Sequence, residues 1–304
     1  MTLIEVGETA AAGPSELAGL PEGTEVRPLR VDVWRRFRRN RLAMIGLGFV
    51  VLLVLTAIFA PLIAPYGITE RSPGVFRAAP SADHWFGTDQ IGLDLFSRVV
   101  HGARVSLRIA LSATAIALVI GVTVGALTGF IGGLFDTLVM RFVDVFLAIP
   151  YIILAVALAT VLGRSENSVI FILGFTGWLS ISRIVRSSFL SLTRLEYVEA
   201  AHALGFSRRR IIFRHILPNA LQPIIVYGTI AVGTVVLSEA ALSFLGVGPQ
   251  NPTPAWGLMV AEGKGALTTA PHVLLFPGAA IFCTVLAFVF VGDGLRDALD
   301  PKLK

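Results

Sequence analysis

Six stretches of this chain, 42–64, 109–130, 142–162, 169–189, 221–244 and 273–291, are apolar for about the length a helix needs to cross a bilayer. The hydrocarbon core is about 30 Å thick and takes roughly twenty residues of helix. Backbone N–H and C=O groups find no water there, so a single segment satisfies them by coiling into a helix. Composition points the same way. Of 304 residues, 55% are hydrophobic and 15% charged, with mean hydropathy +0.77. A soluble domain of this size would be left with too much apolar surface. The expected fold is an all-α polytopic protein of six transmembrane helices, multi-pass in the plasma (inner) membrane. The fourth stretch is the weakest, because Arg183 and Arg186 lie in its second half. Their long stems can carry the charge to an interface if that end is near water.

The basic residues set the direction. Arg27, Arg30, Arg35, Arg36, Arg38, Arg39 and Arg41 precede the first span. Arg183, Arg186, Arg194, Arg208, Arg209, Arg210 and Arg214 surround the link from the fourth span to the fifth, and Arg296, Lys302 and Lys304 follow the sixth. All fall on one side of a six-span chain, which by the positive-inside bias is cytoplasmic, with both termini inside. The net charge of +5 is read as this asymmetry rather than as nucleic-acid binding. On the other side, Arg71, Arg77 and Arg98 are offset by Glu70, Asp83, Asp89 and Asp94. The chain therefore divides into a mobile cytoplasmic tail (1–33), a basic juxtamembrane segment with the first span (34–64), an extracytoplasmic segment (65–108), and a core of five spans (109–304) holding a cytoplasmic loop at 192–218. The first apolar run exceeds the 7–15 residues typical of a cleavable signal, so an uncleaved anchor is expected. The lone cysteine, Cys283, has no partner for an intrachain disulfide.

The loop 192–218 is the most informative polar stretch. Residues 192–204 suit a helix, with Tyr197, Ala201 and Leu204 on one face and Glu196 and Glu199 on another. Gly205 ends it by tolerating the left-handed conformation. Ser207 then caps a second helix, which opens on Arg208, Arg209 and Arg210. Three cations at a helix N-terminus oppose the macrodipole, so local stability does not ask for them. Either that face carries positive charge for topology, or an acidic partner meets them. Pro218 is expected to break the pattern where the fifth span begins.

EAA at 199–201, Gly205, and HILP at 215–218 after nine further residues resemble the EAA loop of ABC importer permeases. Glu199, Ala200, Ala201, Gly205, Leu217 and Pro218 match that motif; His215 departs from it. GTDQIGLDLFSR (87–98), ALSFLGVGPQNPTPAWG (241–257) and GDGLRDALDP (292–301) are similar to segments of dipeptide and oligopeptide permeases, nearest the C-type permease of those systems. Leu93 stands where that branch usually has arginine. The resemblance implies a type I importer-like permease whose loop docks on a separate ATPase. It implies a second homologous permease, two ABC ATPase subunits and an extracytoplasmic solute-binding protein as partners. Peptide is the implied cargo, with nickel or glutathione as alternatives within the family.

Other polar residues admit competing readings. Arg141 and Asp144 sit at i, i+3 near Asp136 and can form a structural pair or a proton relay. Their place near the cytoplasmic boundary favours the pair. Glu239, deep in the fifth span, is expected to face the bundle interior and is a candidate pathway residue. Asp89 and Asp94, with His84 and His101 nearby, lack tight metal-ligand spacing and are read as a solvated contact for the binding protein. Tyr66, Trp85 and Trp256 suit an interfacial belt. Gly121, Gly125 and Gly129 form a stripe that permits close helix packing. No phosphate-cradling G-x4-G-K-[ST] loop and no nucleophile–base pair stand out. The chain is therefore expected to be non-catalytic and to bind no cofactor, with ATP and Mg2+ held by the partner ATPases. A proton-coupled secondary carrier is the alternative of a different class.

Overall fold

The computed structural model describes residues 29–300, so the tail through residue 28, Lys302 and Lys304 lie outside the described residues. The chain order is α1 (Leu29–Arg39), α2 (Arg41–Ile58), α3 (Ala60–Ile63), α4 (Leu95–Ile131), α5 (Gly133–Ala148), α6 (Tyr151–Leu162), α7 (Glu166–Leu192), α8 (Glu196–Ala203), α9 (Arg208–Ile211), a π-helical turn (Ile212–Ile216), α10 (Leu217–Phe244), α11 (Trp256–Gly263) and α12 (His272–Leu299). Among the described residues the only β pairing is two isolated bridges, Arg71 with Leu93 and Thr88 with Asp94. Five helices are long and apolar enough to cross a membrane, and the bent pair α5–α6 brings the number to six if it is one span.

The third span departs from expectation. It is two helices meeting at 90° rather than one rod. The cause is local. Pro150 has no N–H to continue the ladder, and its ring disfavours helical geometry at the residue before it. Ile149 is accordingly extended, with ψ 125°. Other boundaries move outward. The apolar stretch 109–130 is the C-terminal part of the 37-residue α4, which begins at Leu95, so residues 95–108 are already helical. At 1.5 Å per residue α4 is about 55 Å long and overruns the hydrocarbon core. Likewise α1 begins at Leu29, so residues 29–33 are helix and not tail.

The core is built along α4. Gly121, Gly125 and Gly129 bring its backbone against α7: a Cβ at Gly121 would lie 2.6 Å from Ile181, at Gly125 2.5 Å from the Ser182 carbonyl, and at Gly129 2.6 Å from Phe189. The expected packing stripe is therefore present; α10 packs on both helices, and α12 packs on α10 and α2. At the arginine-rich end α1 folds onto the end of α12. Phe37 is buried, Arg36 donates to the Asp300 carbonyl at 3.0 Å, and Asn40 caps α2 by accepting from the Ala43 N–H at 3.1 Å.

Candidate functional site

At the arginine-rich end, α7, α8 and the start of α9–α10 form an elbow. Helix α8 is two turns long and buries Val198 and Ala201 against Val185 and Phe189 of α7 and Ile211, Ile216 and Ala220 beyond the turn. This corrects the expected face. Tyr197 and Leu204 are exposed, because in so short a helix the turn at Gly205 carries Leu204 outward. Gly205 has φ +77°, and the closure is a Schellman turn: the Phe206 N–H donates to the Ala201 carbonyl at 3.1 Å and the Gly205 N–H to His202 at 3.0 Å. Ser207 accepts from the Arg210 N–H at 3.4 Å and starts the next helix. Arg210 lies over the Phe206 ring at 4.1 Å, and His215 stacks on the other part of that cluster at 5.9 Å.

Pro218 does not break the chain as expected. The wider turn Ile212–Ile216 absorbs it, so α9 and α10 run as one apolar helix from Arg208 to Phe244. Asn219 donates to the His215 carbonyl at 2.7 Å and to the Tyr197 hydroxyl at 3.3 Å, tying α8 to the root of α10. Val198 and Ala201 lock the elbow to both spans, while Glu196, Glu199, Ala200, Gly205, Arg208, Arg209, Arg210 and Pro218 point outward and Leu217 is half-buried. Leu195, Leu204 and Phe213 add exposed apolar surface between the acidic and basic groups. The elbow is a rigid handle whose outer face is open among the described residues.

The other expected sites are rearranged. Asp144 pairs with Arg183 of α7 and not with Arg141. Asp136 takes Arg186 in a two-pronged bridge, 2.5 Å to each oxygen. The two arginines that weakened the fourth span are thus neutralised by α5, a contact invisible to spacing along one helix. Asp89 and Asp94 are not a solvated docking edge. Both are buried. One oxygen of Asp89 accepts from the N–H groups of Ile91 and Leu93 at 2.9 Å, and the other meets Arg98. Asp94 caps α4 through Ser97 at 2.7 Å and lies 2.9 Å from His84. Arg98 continues to Glu262 at 3.1 Å, and Glu262 accepts from Asn251 at 2.5 Å. This network fastens the segment 65–94 to α11, and sequence reasoning missed it. The signal was an aspartate at the N-cap position of α4, where a carboxylate takes a backbone N–H of the first turn. Trp256 is not in a belt either: it is buried, and its indole donates to the Val99 carbonyl at 2.9 Å.

Glu239 faces the interior, as expected, and is fully buried. Ser243 donates to one of its oxygens at 2.7 Å, and the Ser106 hydroxyl is a second polar neighbour. It is its neighbour Ser238, not Glu239, that lines the main cavity of about 400 Å3 between the α5–α6 bend, α7, α10 and α4. Among the described residues no group of three or more His, Cys, Asp or Glu side chains is placed to hold a metal.

Five membrane-length helices, a bent apolar pair between the second and third of them, and an outward-facing elbow ahead of α10 define a polytopic membrane protein. Residues 121–304 match the family described as binding-protein-dependent transport system inner membrane component, and residues 29–80 match the N-terminal TM domain of oligopeptide transport permease C. Over 281 residues the chain is 44% identical to the dipeptide transport system permease protein DppC of Alkalihalophilus pseudofirmus, covering 92% of each chain. It is 47% identical to the glutathione transport system permease protein GsiD of Shigella flexneri serotype 5b, covering 92% of this chain and 93% of that one. The fold resembles inward-facing conformations of the MetNI methionine ABC transporter, with TM-score 0.57 at 23% identity over 68% of this chain and 98% of that one. The chain belongs to the inner-membrane components of binding-protein-dependent transport systems. Within that family it is an ABC importer permease of the dipeptide and oligopeptide type, a class that works with an ATPase and a solute-binding protein.

Proposed function

We propose that this chain carries dipeptides or oligopeptides, forming the pathway with a second homologous permease. The elbow receives the stroke of two separate ATPase subunits. These hold ATP and Mg2+, while this chain binds no cofactor and catalyses no reaction. The arginine-rich face is cytoplasmic by the positive-inside bias, and the solute-binding protein delivers cargo to the opposite face. The observation that carries this reading is the elbow itself. It is locked by Val198 and Ala201 to α7 and α10, yet it exposes acidic, apolar and basic groups that no other described residue covers. A force on α8 moves two spans as bodies, the two-state element that coupling needs.

The relatives that transport glutathione favour a second cargo, which is itself a short peptide. Uptake of dialanine and of glutathione by the reconstituted transporter separates the two. The elbow is tested by Gly205→Val. A left-handed conformation costs a residue with a Cβ about 1–2 kcal/mol, so α8 shifts on its spans. The variant chain should insert in the membrane normally, but the complex should lose ATPase subunits or hydrolyse ATP without uptake. Wild-type uptake with normal coupling would remove the elbow from the mechanism.

A further inference from the structure

The main cavity has on its wall a buried polar group without a protein partner. Thr114 of α4 is 4% exposed and lines the cavity, and its hydroxyl has no hydrogen-bond partner. Several other threonines of the spans return their hydroxyls to a carbonyl one turn earlier: Thr123 to Val119, Thr128 to Val124, Thr176 to Ile172 and Thr229 to Ile225; Thr284 of α12 is unpartnered like Thr114 but is not on this cavity's wall. Thr114 forgoes that local bond. A buried hydroxyl left unpaired is costly unless something else meets it. Around the same space stand the hydroxyls of Tyr151 on α6, Ser180 on α7, and Tyr227 and Ser238 on α10, with Ser238 the polar neighbour of Tyr151. The wall includes no acidic, basic or histidine side chain. A volume of about 400 Å3 falls in the range of small-molecule sites, roughly 300–1,000 Å3.

We infer that this cavity is a cargo subsite that takes the neutral backbone of a short peptide, with Thr114 as a hydrogen-bonding contact. This rests on the reading of the chain as a peptide permease. Amide groups both donate and accept, and a hydroxyl can answer either. Hydroxyls from four helices therefore meet a peptide backbone without reading its side chains. The apolar remainder of the wall (Phe146, Leu154 and Leu173 among it) accepts uncharged side chains. A lipid acyl chain fits worse, since it would leave the hydroxyls unpaired. Because the wall offers no counter-ion, a bare charge entering it is penalised. The subsite should favour uncharged side chains over lysine or glutamate at the same position.

The test uses the full transporter, with both permeases, the ATPases and the binding protein, reconstituted in vesicles. Cys283 is exposed and is removed as Cys283→Ser, and Ser180→Cys is introduced as a reporter. Trialanine should slow labelling of the reporter by a small thiol reagent. Thr114→Val, which keeps shape but not the hydroxyl, should lower trialanine uptake about five-fold, the size of one neutral hydrogen bond. Thr114→Ser should restore most of it, and co-purification of the ATPases checks that each variant assembles. Uptake by the parent transporter with no protection of the reporter, and unchanged uptake by Thr114→Val, would overturn the subsite and leave the permease reading intact. Protection by added phospholipid alone would assign the cavity to lipid and also overturn it. A parent transporter that takes up neither trialanine nor glutathione would overturn the peptide-permease reading itself, and the subsite with it.

Discussion

The third and fourth spans are both apolar stretches of membrane length, and the fold uses them in opposite ways. Helix α7 carries two arginines, yet 61% of its apolar stretch is buried. The third span is greasier through α6, but among the described residues α5 and α6 together bury only Asp136, Val143, Ala155 and Ala159. Hydropathy decides that both enter the membrane. It does not decide which one forms the core, because lipid tails are as apolar as leucine. Helix α7 is drawn in by the glycines facing it across α4 and by carboxylates that neutralise its arginines. The third span has neither glycine seam nor rigid partner along most of its length, and it bends.

The largest way to break this contrast is to fill the seam. Gly125→Leu places a Cβ 2.5 Å from the Ser182 carbonyl and 2.7 Å from Val185, so α4 and α7 must separate. Overpacking of a tight core costs about 1–3 kcal/mol and sometimes more, and the upper end is expected because a backbone atom is struck. The detergent-solubilised complex should unfold at a clearly lower temperature. Gly278→Ala on α12 is the control. Nothing lies within 4 Å of its Cβ, and helix propensity should leave stability equal or up to about 1 kcal/mol higher. Equal destabilisation by both would mean that the seam is not what holds α7 inside.

A smaller effect is expected at the bridge that joins the two spans. Arg186→Met leaves the Asp136 carboxylate without its partner at the junction of α5 and α7. Loss of a charge-assisted pair costs about 1.5–3 kcal/mol when one side is left unsatisfied. Combining it with Asp136→Leu should recover part of that loss, since no orphaned charge remains. A double variant as unstable as the sum of the singles would show that the pair does not couple the spans.

What could be read in advance follows from how local each cause is. The six spans, the stop at Gly205 and the cap at Ser207 were legible because hydropathy, a left-handed turn and a capping hydroxyl act within a few residues. The glycine stripe was legible because its period is helical. The partner of Asp144 was not, since Arg183 lies 39 residues away on another helix. Asp89 and Asp94 looked like solvated charges because a carboxylate's fate depends on whether backbone N–H groups and Arg98 fold around it. Thr114 gave no signal at all. A threonine that fails to bond its own helix looks, in sequence, like one that does.

The most delicate test concerns the bend itself. Few buried contacts hold α5 and α6, so Pro150→Ala should change stability by no more than about 1 kcal/mol, while allowing helix through residue 150. Spin labels at exposed positions Leu138 and Val161, in the Cys283→Ser background, report the shape directly. At 1.5 Å per residue a straight helix separates them by about 35 Å and a right-angle bend by about 25 Å. A shift toward the longer distance is expected, because the proline is the only local reason for Ile149 to leave the helix. An unchanged distance would instead assign the bend to packing around the main cavity. The third span would then be as firmly placed as α7, and its exposure would reflect a surface awaiting another subunit and not a want of contacts.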